Sequence, residues 1–388
     1  MNSKVNSRCE TACCVSIRSS QAGFSLVELM VASTIGLLIM AAVLTLFLNV
    51  SRTNDEMAKT NVLIENGRFA IQLLQSDIAH AGFWDSYIPD FDDLTLTTVP
   101  AEIPTGVPWP CLAFSSWTAA IRTNRLGIPV QVHNTQPSGC ETVITNRKSG
   151  TDILVVRHVD TCVAGASGCE AEVSGKLYFQ ASRCESDASS YVLSTSGHTL
   201  RERNCTDIAP KRRFISHVYY IRDYAVTAGD GIPTLVRSEL DLESGAVKAK
   251  AAVALIEGIE GFRVELGVDR ISDADIDIID EGSDGDPYRD AVAWADTDNL
   301  TSPTNRGDGV PDEFVHCSGV CSVDSLINVV AVKLHLLVRS LTSTASYVDG
   351  KTYKLGGQTI AAANDGFKRH VFSTVVRLNN VSGRRETP

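Results

Sequence analysis

Cysteine is the most reactive residue type in this 388-residue sequence, which holds eleven of them. Cys9, Cys13 and Cys14 lie before Gly23; Cys111, Cys140, Cys162, Cys169, Cys184, Cys205, Cys317 and Cys321 follow it. Eight cysteines permit 105 pairings. Short loops close with the least entropic loss, which favours Cys111–Cys140, Cys162–Cys169, Cys184–Cys205 and Cys317–Cys321. The competing use is a metal set, but no C-x-x-C is present and the spacings do not form a zinc site. A second group of side chains offers oxygen. Between Asp269 and Glu313 stand fourteen acids and three bases, which accounts for the whole formal charge of −11 and leaves the remainder neutral. Asp284-Gly285-Asp286 and Asp308-Gly309-Val310-Pro311-Asp312-Glu313 have the Gly-turned, carboxylate-rich character that suits Ca²⁺, with Asp284, Asp286, Asp308 and Asp312 as candidate ligands. Asp273, Asp275 and Asp277 begin like an EF-hand, but the required glycine and final glutamate are misplaced. The alternative is a solvated acidic excursion, because like charges at this density repel. The third feature is a single residue: Glu28 is the only ionisable side chain between Phe24 and Val50.

Catalytic constellations are missing from the pattern. The eight histidines are scattered, and there is no H-E-x-x-H, G-x-S-x-G elbow or P-loop. His158 near Asp160 reads as decoration at a strand edge. The acidic balance argues against nucleic-acid binding, which needs clustered Lys and Arg. These observations point to a structural part rather than an enzyme.

The elements that position Glu28 come next. Residues 1–23 are polar and mildly basic and lack the apolar stretch that precedes cleavage in a secretory signal peptide. The apolar stretch follows Gly23 instead. Leu29 to Leu48 is 20 uncharged residues, roughly 30 Å of helix, the thickness of a bilayer core. Basic residues before it favour a cytoplasmic amino end. A plain membrane anchor would satisfy length and hydropathy, yet it has no use for a carboxylate near its apolar start, where an unpaired charge costs energy.

The run Gly23-Phe24-Ser25-Leu26-Val27-Glu28-Leu29-Met30-Val31 resembles the class III signal of type IV pilins and type II secretion pseudopilins. The resemblance implies that a prepilin peptidase cuts between Gly23 and Phe24 and methylates the new amino terminus at Phe24. It also implies that the Glu28 carboxylate pairs with the amino terminus of a neighbouring subunit, so that neither charge is buried alone. Cleavage there leaves an even set of eight cysteines in a non-cytosolic compartment, the usual setting for disulfides.

No proline interrupts Phe24 to Ile88, and Leu63, Gly67, Ala70, Ile71, Leu74, Ile78 and Ala81 recur at three- and four-residue steps, an apolar stripe of helical period. Gly82 is the expected stop, with Pro89 beyond. Glu65-Asn66-Gly67-Arg68-Phe69-Ala70, followed by Leu73-Leu74, Asp77 and Ala81-Gly82, is similar to the ENGRFA-type box of the PilW minor pilins. Ordinary packing would make Phe69 an anchor in the head and give Arg68 a nearby acid. Beyond Gly82 alternation takes over. Phe214, Ser216, Val218 and Tyr220 share one strand face, as do Phe262, Val264 and Leu266, and Val332, Leu334, Leu336 and Val338; further strands are expected at Ile153–Val156, Lys176–Phe179 and Val371–Leu378. The strand ending Leu337-Val338-Arg339-Ser340 and the closing strand from Phe372 to Asn380 also resemble PilW carboxy-terminal regions.

The expected architecture is therefore α+β: a long N-terminal pilin helix packed on an antiparallel β-sheet head with loop-rich, disulfide-bearing insertions. Its expected parts are a leader (1–23), a transmembrane and filament-core helix (24–50), its amphipathic continuation (51–82) and a periplasmic or extracellular head (83–388) carrying the acidic loop (269–313). The resemblance implies a minor pilin in the inner membrane that primes type IV pilus assembly and sits at the filament tip. Its partners would be the prepilin peptidase, other minor pilins and the major pilin. A type II secretion pseudopilin and a tip-displayed adhesin or ligand-binding module are the alternatives.

Overall fold

The computed structural model describes residues 23–93, 100, 102–271, 307–319 and 321–386. The chain divides into two compact units, Met1–Met57 and Ala58–Pro388. Helix α1 (Leu26–His80) supplies the described part of the first and opens the second.

In the first unit α1 begins at a reciprocal cap. The Ser25 backbone N–H donates to Glu28 Oε2 (2.9 Å), and the Glu28 N–H donates to Ser25 Oγ (3.2 Å). This capping box satisfies two of the donors that every helix start leaves open. The apolar side chains that follow are exposed throughout, from Leu26 to Val50. Hydroxyls within this stretch turn inward: Ser33, Thr34 and Thr45 donate to the carbonyls of Met30, Val31 and Ala42. Bonded this way, they present no unsatisfied donor to an apolar surrounding.

In the second unit the stripe of α1 is buried at Leu63, Gly67, Ala70, Leu74 and Ile78. Gly67 is required by close approach, since a Cβ there would stand 2.2 Å from the Phe372 ring. The helix ends at Gly82, whose φ of +75° favours glycine. Its last carbonyls are capped from far along the chain. Asn380 donates to Ala79 and Ala81 (3.4 and 3.3 Å), and Arg384 donates to Gly82 (2.6 Å), placing a cation at the negative end of the helix dipole.

Among the described residues every strand pairing is antiparallel, and the class is α+β. The larger sheet contains β1 (Val130–His133), β2 (Ile153–Val159), β3 (Tyr178–Ala181), β4 (Tyr191–Ser194), β5 (Lys211–Arg222), β6 (Thr234–Glu243), β7 (Ala246–Ala249) and β8 (Val253–Glu257). Its path runs β1-β2-β5-β3-β4, with β6 joining β5 to β7 and β8. The second sheet uses β9 (Ile259–Val268), β10 (Glu313–Val315), β11 (Val329–Arg339) and β14 (Arg369–Arg377) in the order β10-β9-β11-β14, while β12 (Tyr353–Leu355) and β13 (Gln358–Ile360) form a separate hairpin. Asp152 stitches the sheets together: its N–H donates to Phe262 O (2.9 Å), and its buried carboxylate accepts from the Val264 N–H (2.8 Å) and lies 3.1 Å from His316 Nε2.

β9 follows the expected alternation, and in β11 the face at Val332, Leu334, Leu336 and Val338 joins the core as expected, but Ala331, His335 and Leu337 on its other face are buried as well. β5 also departs from the alternation. Alternation implies one covered face at Phe214, Ser216, Val218 and Tyr220, but β5 is buried continuously from Phe214 to Ile221. Tyr219 and Ile221 join the core shared with the α1 stripe. On the opposite face Trp84 stacks on Phe214 (5.8 Å) and Trp117 meets it edge-on (5.9 Å), while Val218 and Tyr220 pack with Cys140 and Ile144. The region before β5 supplies this second cover, so the strand is roofed on both sides.

The chain returns to its start through a closing helix, Asn379–Arg385. The Arg385 guanidinium is fully buried. It donates to Asn328 Oδ1 and Ile327 O (both 2.8 Å) and pairs with Asp92 and Asp269 at 3.3 Å. Burial pushes the Asp269 carboxyl above the usual range, against the pull of Arg385 and of the Gly309 N–H. At the other end of β14, Arg369 gathers Glu260, Asp349 and Asp365, and its hydrogen bonds hold the Asp365 carboxyl down to about 2.

Two outcomes are expected. Removing one partner from a buried ion pair is strongly destabilising, so Arg385→Ala costs about 3–5 kcal/mol in thermal unfolding of the detergent-solubilised chain. Asp365 contributes stability that is fully present above its unfolded pKa, near 4, and that is lost as pH falls towards its folded value of about 2. Melting temperature measured from pH 5 to pH 2 therefore declines less steeply in Asp365→Asn than in the parent.

Candidate functional site

In the first unit Gly23 and Phe24 lie in extended, exposed chain just before the helix, with no heavy atom near the position of a Gly23 Cβ and the Phe24 ring almost bare. Glu28 faces outward, with one carboxylate oxygen engaged by Ser25 in its own chain. That local partner was readable as the Ser25-x-x-Glu28 pattern ahead of an apolar run. Helix α1 contains a window of mean hydropathy 2.4 that carries no buried residue, long and apolar enough to cross a membrane.

In the second unit four disulfides join Cys111 to Cys140, Cys162 to Cys169, Cys184 to Cys205 and Cys317 to Cys321, with Cα separations of 5.1–5.6 Å. Six of these cysteines pin the connections around β1–β4, which have few long strands of their own to hold them. Of the candidate calcium ligands, Asp284 and Asp286 lie outside the described residues. Asp312 Oδ2 accepts from the backbone N–H groups of Arg270 (2.8 Å) and Ile271 (2.9 Å), and Asp308 Oδ1 accepts from the Val310 N–H (2.8 Å). Asp308 thus supports a local turn, and Asp312 ties two segments far apart in sequence.

The ENGRFA-type box also behaves differently from simple packing. Gly67 and Ala70 are buried, and Asn66 donates to Glu257 O (3.1 Å), but Phe69 is 55% exposed and Arg68 is exposed. Among the described residues Arg68 forms no ion pair. Phe69 is thus not an anchor: Gly67 brings the helix so close to β14 that the neighbouring face, rather than the ring, makes the contact.

A polar cluster two turns further along α1 was missed in sequence. Asp77 receives the Tyr219 hydroxyl (3.0 Å) and lies 3.0 Å from His158 Nε2 and 2.9 Å from His217 Nδ1. Burial works to raise its carboxyl pKa, but the hydrogen bonds and charge of the two histidines outweigh this and leave it well below the usual range. His158 is therefore no edge decoration. It is buried on β2, which lies between β1 and β5, and its carboxylate partner comes from α1 rather than from Asp160, two residues away. His80 lines the same cleft.

Comparison with known proteins agrees with both ends of this geometry. The prokaryotic N-terminal methylation motif matches residues 18–44, spanning Gly23, Glu28 and most of the exposed apolar stretch. In this stretch the chain is similar to type IV pilins. More particularly, residues 218–380, from β5 to the closing helix, are similar to the family of type IV pilus-assembly protein W, PilW. No curated protein matches. Among solved structures, a type IV-like pilin from Thermus thermophilus is 12% identical with a TM-score of 0.27, covering 65% of this chain and 82% of that one.

The exposure of the box leads to a direct comparison. Phe69→Ala should shift unfolding stability by no more than about 0.5 kcal/mol, as at an exposed site. Leu74→Ala, on the buried stripe of the same helix, should cost about 2–5 kcal/mol. Chemical denaturation of both variants measures the contrast.

Proposed function

We propose that this chain is a minor pilin that primes type IV pilus assembly from the inner membrane and then stands at the filament tip. The observation that carries this reading is the all-round exposure of the apolar side chains from Leu26 to Val50. No described residue covers them, and the cover that suits them is lipid first and other apolar helices afterwards. The prepilin peptidase would cut between Gly23 and Phe24 and methylate Phe24. In the assembled bundle Glu28 would accept the ammonium of a neighbouring subunit, each charge neutralising the other.

Size supports the tip. A head of more than 300 residues has a radius of gyration of about 20 Å, whereas packed helices lie roughly 8–10 Å apart. A head this wide is crowded less at the end of a close-packed helical filament than along its length.

Three measurements test this reading. Mass spectrometry of the mature protein should find N-methylated Phe24 at the amino terminus, and an intact leader would overturn the processing step. Glu28→Gln retains an acceptor for the Ser25 cap but not the charge; the variant should fold and insert normally yet fail to co-purify with other pilins. Incorporation equal to the parent would refute the charge pairing. Deletion of the gene should abolish surface pili with secretion intact. Lost secretion with normal pili would instead assign the chain to a type II secretion pseudopilus, and normal pili that fail to attach would assign it an adhesive role.

A further inference from the structure

We propose that Asp77, His158 and His217 form a binding site for a divalent transition-metal ion, with Zn²⁺ the best chemical match. One ligand atom from each residue lies within 4.8 Å of the other two, and the three converge from α1, β2 and β5. Two imidazoles and one carboxylate are the donor set that zinc accepts in three-ligand sites with an open fourth position.

The orientation of His158 suits a metal ligand. Its Nδ1 donates to the Val159 carbonyl (2.8 Å), which fixes the proton on that nitrogen. Nε2 then points at Asp77 Oδ1 from 3.0 Å. In a neutral ring this sets a nitrogen lone pair against a carboxylate lone pair, so the contact requires a cation between them, either a second proton or a metal ion. A ring nitrogen tied to a backbone carbonyl while the other faces the ion is also the usual outer-sphere arrangement of metal-bound histidine. His80 repeats the pattern: its Nδ1 contacts Ser76 O at 2.6 Å, and its ring centroid lies 5.7 Å from that of His158.

Access and space are present. The cluster lies on the wall of an open cleft of about 490 Å³, also lined by Phe69, Ser76 and Thr161. With metal–ligand bonds of about 2.0–2.1 Å, donors around a tetrahedral ion stand roughly 3.3 Å apart. The Asp77 contacts would lengthen by a few tenths of an ångström while the two imidazole nitrogens draw together. Water from the cleft, or His80 after a small movement, would complete the coordination. The ion would tie the last turns of α1 to the two central strands it crosses.

The test uses the full mature chain in detergent, stripped with chelator and then given ZnCl₂ alone. Calorimetry should report one zinc per chain, with a melting temperature raised by several degrees. Co²⁺ in place of zinc should show the visible ligand-field bands of a tetrahedral site. A His158→Gln/His217→Gln double variant keeps hydrogen-bonding side chains on both strands; its zinc affinity should fall at least 100-fold and its cobalt bands should vanish. If the double variant does not fold, the parent's stoichiometry and cobalt spectrum still decide the matter. Absence of zinc-dependent stabilisation in the parent, cobalt bands lacking tetrahedral character, or equal zinc binding by a folded double variant would each overturn the site and leave the cluster as a proton-mediated lock.

Discussion

An apolar helix surface that no described residue covers governs much else in this molecule. From Leu26 to Val50 the side chains of α1 face outward on every side, and each polar group within the stretch has to be reconciled with an apolar surrounding. The serine and threonine hydroxyls meet that demand by bonding back to carbonyls one turn earlier. Glu28 meets part of it by capping the helix through Ser25, which neutralises no charge. The residual negative charge is what makes a cationic partner in a neighbouring subunit physically sensible.

Within the second unit the same helix is held by three unlike means. Apolar packing along Leu63, Ala70, Leu74 and Ile78 supplies most of the stabilisation, at roughly 1.5–3 kcal/mol for each fully buried aliphatic side chain. Asp77 then fixes rotation and register, because His158, His217 and Tyr219 all converge on one carboxylate, and sliding the helix by a residue would leave these groups unpaired in a buried place. Finally Asn380 and Arg384 close the helix end. Packing tolerates small displacements; directional hydrogen bonds at two separated points do not.

Much of this was legible in the residues alone. The helix, its stop near Gly82, the buried stripe and the alternation of β9 follow from local periodicity, which one segment displays without help from others. The features that were not legible each depend on a distant segment. β5 looks like a half-covered strand because Lys211 to Arg213 open it with charge; that Trp84, Trp117 and the Cys140–Ile144 turn roof its second face is a matter of topology. Phe69 looks like an anchor because it is large and apolar, yet the close approach permitted by Gly67 turns the neighbouring face to the sheet. Arg385 stands in a polar stretch, Ser382-Gly383-Arg384-Arg385-Glu386, that resembles a solvated tail. Its burial is specified by Asp92, Asn328 and Asp269, three separate places in the chain. In the candidate site, neither His158 nor Asp77 carries a local signal, since their pairing spans 81 positions.

The capping of α1 by Asn380 and Arg384 has a consequence for the order of events during synthesis. The groups that finish the helix are translated some 300 positions after the carbonyls they bind. For most of translation the leading apolar segment can already reside in lipid while the end of the same helix waits frayed. The cysteine pairs bridge only 4 to 29 positions, so each can close as its own segment emerges. A nascent head would thus acquire its covalent bridges piecemeal, and its helix junction only once β14 and the closing helix arrive. Until then, the growing chain would expose the Leu63–Ile78 stripe, the kind of apolar surface that chaperones bind.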